Sequence, residues 1–409
     1  MQVAIIGAGA AGCFCAINLK RQRPDLNISV YEAGRKALAK VSITGGGRCN
    51  LTNTFNQVKD LKRVYPRGEK LMKRALGRFS QQDTWNWFEM EGIRLTAQED
   101  ECVFPVSQDA TQIVNTLLDD MRQLGIRLCT GSKVTSIVPD ENGRYCIQFA
   151  TEGAGHFHAD FVVVCTGGHP SPKGFGMLSA LKLDIQPPLP SLFTLNIAGD
   201  WHQNLMGTVV EDASVLLAGT KFKSNGPLLL THWGMSGPAI LKLTSYAARH
   251  LAERDYKGEI LVNWYGNRSE EDVRQEIRNL MRDFAARQVT SAYPRHLTAR
   301  HWHYLVNKSH IPETQRWGTL NPKEQNRLLT HLTADPYTIT GKCRFKDEFV
   351  TCGGVALSNI SINTLESKLY PGLFFAGEVL DVDAVTGGFN LQAAWSMGFV
   401  ISEEIARRQ

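Results

Sequence analysis

An α/β protein whose Rossmann-type domain is assembled from both ends of the chain is the fold predicted by the sequence, on three observations. A β-branched apolar run near the N-terminus passes directly into a glycine-rich turn and an apolar helix. A proline cluster, Gln186-Pro187-Pro188-Leu189-Pro190, cannot continue a helix and marks a crossing into a segment of different character. Near Thr351 the glycine-rich α/β pattern resumes and runs to a closing helix. At 409 residues the chain exceeds what one hydrophobic core holds, so two or three domains are expected.

Val3 to Ile6 has the composition of a buried parallel strand and leads into Gly7-Ala8-Gly9-Ala10-Ala11-Gly12. Phe14, Ile17 and Leu19 supply the packing face of the following helix, and Pro24-Asp25 marks its exit towards a strand at Ile28 to Tyr31. Arg67 to Glu91 and Ala110 to Gly125 read as helical, and Lys133 to Val138 with Tyr145 to Phe149 read as a hairpin around Glu141-Asn142-Gly143. Phe161 to Cys165 is a fully apolar strand running into Thr166-Gly167-Gly168. In the middle segment, Ser214 to Leu217, Pro227 to Leu230 and Glu259 to Asn263 read as strands, and Ser269 to Arg287 and Pro322 to Leu332 as helices. Gly372 to Glu378 forms a late strand and turn, and Gln392 to Arg407 is the closing helix.

Composition narrows the class. No apolar stretch reaches the roughly 18 residues of a membrane helix, and the early apolar run has no basic segment before it, so a cytoplasmic protein without membrane contact is expected. Nine cysteines are scattered without C-x-x-C pairs, which predicts reduced thiols and no metal site. The net charge of +5 is too modest to indicate nucleic-acid binding by itself.

Gly7-x-Gly9-x-x-Gly12 carries weight because it lies between a strand and a helix. There the glycines give a tight turn, close approach to a pyrophosphate and close helix packing. Amides at the helix start, with the positive end of its dipole, suit phosphates. Glu32 ends the second strand about 20 residues after Gly12, placed to accept hydrogen bonds from a ribose 2′-OH, which favours FAD or NAD over NADP. The far end of the chain favours FAD: Phe374-Phe375-Ala376-Gly377-Glu378 has the form of a late strand delivering a glycine-acid turn to the pyrophosphate. Gly387-Gly388-Phe389-Asn390-Leu391 then leads into a helix. Between Glu32 and the first long helix, Thr44-Gly45-Gly46-Gly47-Arg48-Cys49-Asn50 lets backbone lie against a planar ligand. Arg48 is placed to meet a phosphate, and Asn50 to pin a flavin edge or the loop itself.

On these residues the sequence resembles the BaiN/RdsA family of FAD-dependent oxidoreductases, also called YhiN-like or aminoacetone-oxidase-like. The resemblance runs the whole length and includes Thr44 to Asn53, Thr231-His232-Trp233-Gly234-Met235-Ser236-Gly237-Pro238-Ala239 and Cys352-Gly353-Gly354-Val355. It implies an FAD domain (1–190 and 351–409) interrupted by a β-rich module (191–267 and 335–350) and a helical module (268–334). It also implies FAD contacts at Ala11, Glu32, Lys40, Val134, Glu378, Asn390 and Leu391. With Gly7, Gly9, Ala10, Gly12, Ala33, Gly45, Gly46, Arg48, Asn50, Thr166, Gly167, Gly377 and Gly388, these form the candidate cofactor set.

Flavin performs hydride chemistry, and the protein supplies orientation and a proton donor. His232 is the first candidate for a substrate-side acid, with a loop-holding role as its alternative, and His169 is a second candidate beside Gly168. No second G-x-G-x-x-G occurs in the middle, so NAD(P)H is expected only as a transiently docking donor. Cys49 has no neighbouring cysteine before Cys102, which argues against a redox dithiol. Three partners stay open: a uridine base in RNA, a small aminoketone or enone metabolite, or no substrate at all in a non-catalytic flavin-binding protein. For RNA the footprint is Lys59, Lys62, Arg63, Arg67, Lys70, Lys73, Arg74 and Arg78 among Phe55, Tyr65 and Phe79, with a second stripe at Arg274, Arg278 and Arg282. The oligomeric state is not legible.

Overall fold

The structure, a computed structural model, describes residues 1–150, 155–199, 204–343 and 350–408. It has two compact units, Met1–Pro190 with Val350–Gln409, and Ser191–Phe349. Residues 200–203 and 344–349, which the sequence reading places in the β-rich module, lie outside the described residues.

In the first unit β1 (Gln2–Ile6), α1 (Ala10–Gln22) and β2 (Asn27–Tyr31) form the expected β-α-β unit, with the strands parallel. Ala11 to Leu19 of α1 are all buried, so this is a core helix rather than an amphipathic surface one. There follow α2 (Ala39–Ile43), β3 (Thr52–Asn53), α3 (Glu69–Leu76) and α4 (Gln81–Met90). The helical pattern over 67–91 is therefore two helices. Ser80 restarts the second with a capping box, its hydroxyl accepting from the Asp83 amide while the Asp83 carboxylate accepts from its own. β4 (Leu95–Ala97), β5 (Cys102–Pro105), α5 (Ala110–Gln123) and β6 (Arg127–Cys129) lead to an antiparallel sheet of β7 (Val134–Pro139), β8 (Tyr145–Phe149) and β9 (His156–Ala159). β10 (Phe161–Val164) and β11 (Ile185–Ser191) close this stretch.

The second unit is built on a closed antiparallel barrel. Its strands are β12 (Leu195–Ile197), β13 (Val209–Leu217), β14 (Lys223–Thr231), β15 (Gly234–Ser236), β16 (Gly258–Asn263) and β17 (Asp335–Lys342), in the order β12-β15-β14-β13-β16-β17. α6 (Pro238–Tyr246) and α7 (Ala248–Ala252) follow β15, and α8 (Glu270–Asp283), α9 (Ala299–Lys308) and α10 (Pro322–Thr333) lie between β16 and β17. One hydrophobic core joins barrel and helices, running from Leu195, Val215 and Leu228 to Trp302, Trp317 and Leu328. Its buried indoles all find acceptors: Trp264 donates to Asp335 at 3.0 Å, Trp302 to the Val289 carbonyl at 2.8 Å and Trp317 to the Ala292 carbonyl at 2.9 Å.

His301 in this core is different, for neither ring nitrogen has a hydrogen-bond partner among the described residues, and its ring stands edge-on to Trp264 at 4.3 Å. Burial pushes the imidazole down to about 4, against the opposing pull of Asp335. The folded state therefore holds this ring neutral while an unfolded chain protonates it near pH 6.5. The sign is that stability is complete above about pH 6.5 and falls as pH drops towards 4, by on the order of 3 kcal/mol from this group. Chemical denaturation between pH 7 and 4 should show that loss, and His301→Leu should flatten it.

The chain returns to the first unit through β18 (Val350–Val355), which pairs with β11, then β19 (Leu373–Phe375) and α11 (Phe389–Ala406). The main sheet is five-stranded, β19-β10-β1-β2-β6, and every pairing in it is parallel. The closing helix starts at Phe389, three residues before the sequence pattern places it, because Gly388 at φ 85° turns the chain into it. Among the described residues no helix is long and apolar enough to cross a membrane.

Candidate cofactor site

Parallel register aligns Ile6 with Val164 and Val164 with Phe375, so the turns after β1, β10 and β19 emerge at one end of the sheet. That end is where open α/β sheets bind ligands. α1 and α11 pack side by side there, close enough that a Cβ on Gly398 would lie 2.8 Å from the Ala11 carbonyl oxygen. A Cβ on Gly377 would lie 3.6 Å from the Ala11 Cβ.

The three motif glycines do three different jobs. Gly7 has φ 106°, and a Cβ there would stand 2.4 Å from the Cys165 carbonyl oxygen. A Cβ on Gly12 would stand 2.0 Å from the Gly7 carbonyl oxygen, so its absence lets α1 rest on β1. Around Gly9, the N-cap of α1, a Cβ would meet nothing within 4 Å. The first two glycines are demanded by the protein itself. The third faces open space at a helix start, the position that a diphosphate takes in this fold.

Glu32 is anchored from both sides: Oε2 accepts from the Ala8 amide at 3.0 Å and Oε1 from the Gly34 amide at 2.7 Å. Its carboxylate is thus fixed beside the glycine turn, with lone pairs left for ribose hydroxyls. Ala33 next to it is exposed, and Val134 is the buried first residue of β7. Glu378 at the other side accepts from the Gly168 amide at 3.3 Å and lies 3.4 Å from Lys40 Nζ, so the turns after β10 and β19 are tied to α2. Thr166 is exposed and Gly167 has open space about it.

Gly45, Gly46 and Gly47 all have positive φ, and space is open around Gly46 and Gly47. Arg48 folds back, donating to the Gly45 carbonyl at 3.1 Å with its guanidinium 4.5 Å from the Phe104 ring centre, so in this state it braces the loop. Asn50, in the orientation that satisfies both ends of its amide, donates to the Thr52 carbonyl at 3.1 Å and accepts from the Gly388 amide at 3.2 Å. Asn390 makes a matching brace, bonding the Ala384 amide at 2.9 Å and carbonyl at 3.1 Å, with Leu391 half-buried beside it. Cys49 is buried and its thiol is pushed up to about 12 by loss of solvent, the opposite of a reactive thiolate. Cys49→Ser is accordingly expected to keep its flavin and most of its flavin reduction, with thiol titration giving equal counts before and after reduction.

These residues fit a dinucleotide: the start of α1, a glycine facing open space, and two fixed carboxylates. Over residues 1–404 the sequence matches the HI0933-like protein Rossmann domain. The chain belongs to the HI0933-like Rossmann family. It is 30% identical over 412 residues to the ribosomal RNA dihydrouridine synthase of Escherichia coli (strain K12), covering 98% of this chain and 97% of that one. It is 26% identical over 423 residues to the 3-dehydro-bile acid delta(4,6)-reductase of Clostridium scindens, covering 100% and 99%. Among solved structures, the 3-ketosteroid delta1-dehydrogenase of Sterolibacterium denitrificans is similar at a TM-score of 0.51 and 11% identity over 99% of both chains, which shows the fold alone. The resemblance read from the motifs is borne out, and this HI0933-like protein is an FAD-dependent oxidoreductase.

Of the two histidines, His169 is held by Ser171, its Nδ1 lying 2.9 Å from that carbonyl oxygen, and its ring leaves no room for a Cβ on Gly174. His232 is exposed in the turn between β14 and β15, with its ring 4.2 Å from that of Trp233. The basic footprint needs correction. Arg67 forms a buried ion pair with Asp383, and Arg78 is bound by Glu403 at 2.6 Å and Glu404 at 2.7 Å. On α8, Arg274 pairs with Glu270 at 2.7 Å, Arg278 with Glu271 at 3.3 Å and Arg282 with Asp283 at 2.8 Å, which neutralises that stripe. Lys59, Lys62, Lys70, Lys73 and Arg74 remain exposed, with no ion-pair partner among the described residues.

Sequence reasoning missed what fastens this basic segment. Beyond the Arg67 pair, Tyr65 donates to the Phe389 carbonyl at 2.9 Å and the Val385 amide to the Val64 carbonyl at 2.9 Å. Gly68 packs on Val382, where a Cβ would be 2.5 Å from Cγ2. The segment is therefore mounted on the return loop that leads into α11. These contacts join residues more than 300 apart and leave no local pattern to read.

Proposed function

We propose that this FAD-dependent oxidoreductase reduces the carbon–carbon double bond of a uridine base in RNA. The observation that carries the reading is the exposed, unpaired cationic group of Lys70, Lys73 and Arg74 on α3, mounted on the loop that opens the α11 end of the cofactor site. Phosphates alongside it are drawn to the mouth of that site. The relative named for dihydrouridine synthesis on ribosomal RNA supports the same substrate class.

FAD, when bound and reduced, supplies the hydride. Saturating a double bond conjugated to a carbonyl also requires a proton at the carbon next to that carbonyl, and His232 is the proposed source. Gly9 and the start of α1 hold the phosphates, Glu32 orients the ribose, and the glycines at 45–47 leave backbone flat beside a ring. NAD(P)H is the proposed donor, docking transiently in a cytoplasmic setting. A second reading, an enone metabolite, is favoured by the match to a reductase of a 3-dehydro bile acid, because a 3-oxo group with a delta-4 double bond poses the same chemical problem as uracil.

Fluorescence anisotropy with labelled RNA at several salt concentrations separates the two. For a Lys70→Ala, Lys73→Ala, Arg74→Ala variant with normal flavin content, the log–log salt slope should shrink by roughly 2, at about 0.7 per lost single-strand phosphate contact. No saturable binding near physiological salt, or an unchanged slope, would remove the RNA reading. Under the metabolite reading the triple variant keeps full turnover and His232→Ala loses it with the flavin still in place.

A further inference from the structure

The second unit carries an open cleft of about 410 Å³ between the end of α8 and the start of α9. Its volume is in the range of small-ligand sites, roughly 300–1,000 Å³. Phe284 and Tyr293 provide aromatic surface, Arg287 and Arg295 provide charge, and no carboxylate lines it. Thr298 and Ala299, the cap and first residue of α9, complete the wall, so the positive end of that ten-residue helix borders the cleft. The Arg287 guanidinium lies 5.5 Å from the centre of the Phe284 ring. Unlike Arg274, Arg278 and Arg282 on α8, Arg287 and Arg295 have no ion-pair partner among the described residues.

A large ring that stays 37% exposed, lining one cleft with two arginines that have no ion-pair partner among the described residues, suits a ligand with both a flat face and a negative charge. An acidic peptide would use the arginines but not the ring, and an apolar metabolite the reverse. We infer that this cleft is a nucleotide-binding subsite, in which an unpaired base of single-stranded RNA stacks on Phe284 while its phosphate meets Arg287, Arg295 and the start of α9. This rests on the reading that RNA is the substrate, and adds a second contact on a different unit from the basic segment of α3. A subsite that takes an unpaired base together with its phosphate selects single-stranded RNA over paired RNA.

The test uses the flavin-loaded protein and a short single-stranded oligoribonucleotide containing 4-thiouridine. Photocrosslinking followed by peptide mapping should place an adduct within residues 284–299. Phe284→Ala, at an exposed position, should weaken binding by roughly 5- to 150-fold, the value of one base stack, without changing the salt slope. Arg287→Gln with Arg295→Gln should lower both affinity and slope. Wild-type binding that is unchanged in both variants, with adducts only elsewhere, overturns the subsite and leaves the RNA reading standing. Loss in the arginine variant alone, with a polyglutamate peptide competing as well as RNA, marks a plain anion surface and also overturns it. If wild type binds no RNA and gives no adduct, both readings fall.

Discussion

Gly9→Val is expected to yield a folded, colourless protein. A side chain there meets nothing within 4 Å, and its φ of −88° and ψ of −168° suit a β-branched residue, so the fold has no reason to resist the change. The only space that valine fills is the space in front of the α1 amides where the diphosphate belongs. Flavin absorbance per chain should fall to background, while circular dichroism and melting of the apo-protein stay close to those of wild-type apo-protein. Gly12→Ala provides the contrast: with a Cβ 2.0 Å from the Gly7 carbonyl oxygen, it should lose stability as well as colour. A yellow, stoichiometrically loaded Gly9→Val protein would move the cofactor elsewhere.

Asp383→Ala should be strongly destabilising. Asp383 is 1% exposed, and its partner Arg67 sits beneath the return loop. Burial works against the Arg67 charge, but the hydrogen bonds and charge of Asp383 outweigh it and hold the guanidinium above its ordinary value. Removing the carboxylate takes away the main hydrogen-bonded counter-charge of that buried cation, at about 3–5 kcal/mol. For a unit of this size the melting temperature should drop by on the order of 10 °C. Arg67→Met with Asp383→Leu should recover part of the loss, because it removes both members of the ion pair together. RNA affinity in Asp383→Ala should also weaken, since the pair fastens the basic segment to the loop.

What was legible in the sequence was whatever has a local signature. The strand-turn-helix at Val3 to Leu19 was readable because its glycines and periodicity lie within twenty residues, and Glu32 followed by counting. The hairpin around Asn142-Gly143 was readable from turn chemistry alone. The barrel strands β12, β15 and β17 were not, because two of them are three residues long and all take their meaning from partners far away. The split of 67–91 into two helices lay in the Ser80 capping box, whose acid is Asp83 rather than the usual Glu or Gln. In the site, residue types that suit a ligand turned out to be engaged with protein. Asn50 and Asn390 brace loops, and the Arg67 charge is answered by Asp383. Arg67 and Arg78 are answered by acids hundreds of residues away, which only three dimensions show, whereas Arg274, Arg278 and Arg282 are answered by acids of their own helix.

The central claim is that flavin held between the two ends of this chain reduces uracil in RNA. The direct measurement is to reduce the purified flavoprotein without oxygen, mix it with protein-free ribosomal RNA or with an enone such as a 3-oxo-delta-4 steroid, and follow both flavin colour and product mass. The account predicts that RNA restores the yellow flavin, that uridines gain two hydrogens in proportion to the flavin oxidised, and that the Lys70, Lys73 and Arg74 triple variant slows this in a salt-dependent way. Prompt reoxidation by the enone, with RNA left unreduced at any salt concentration, would contradict it.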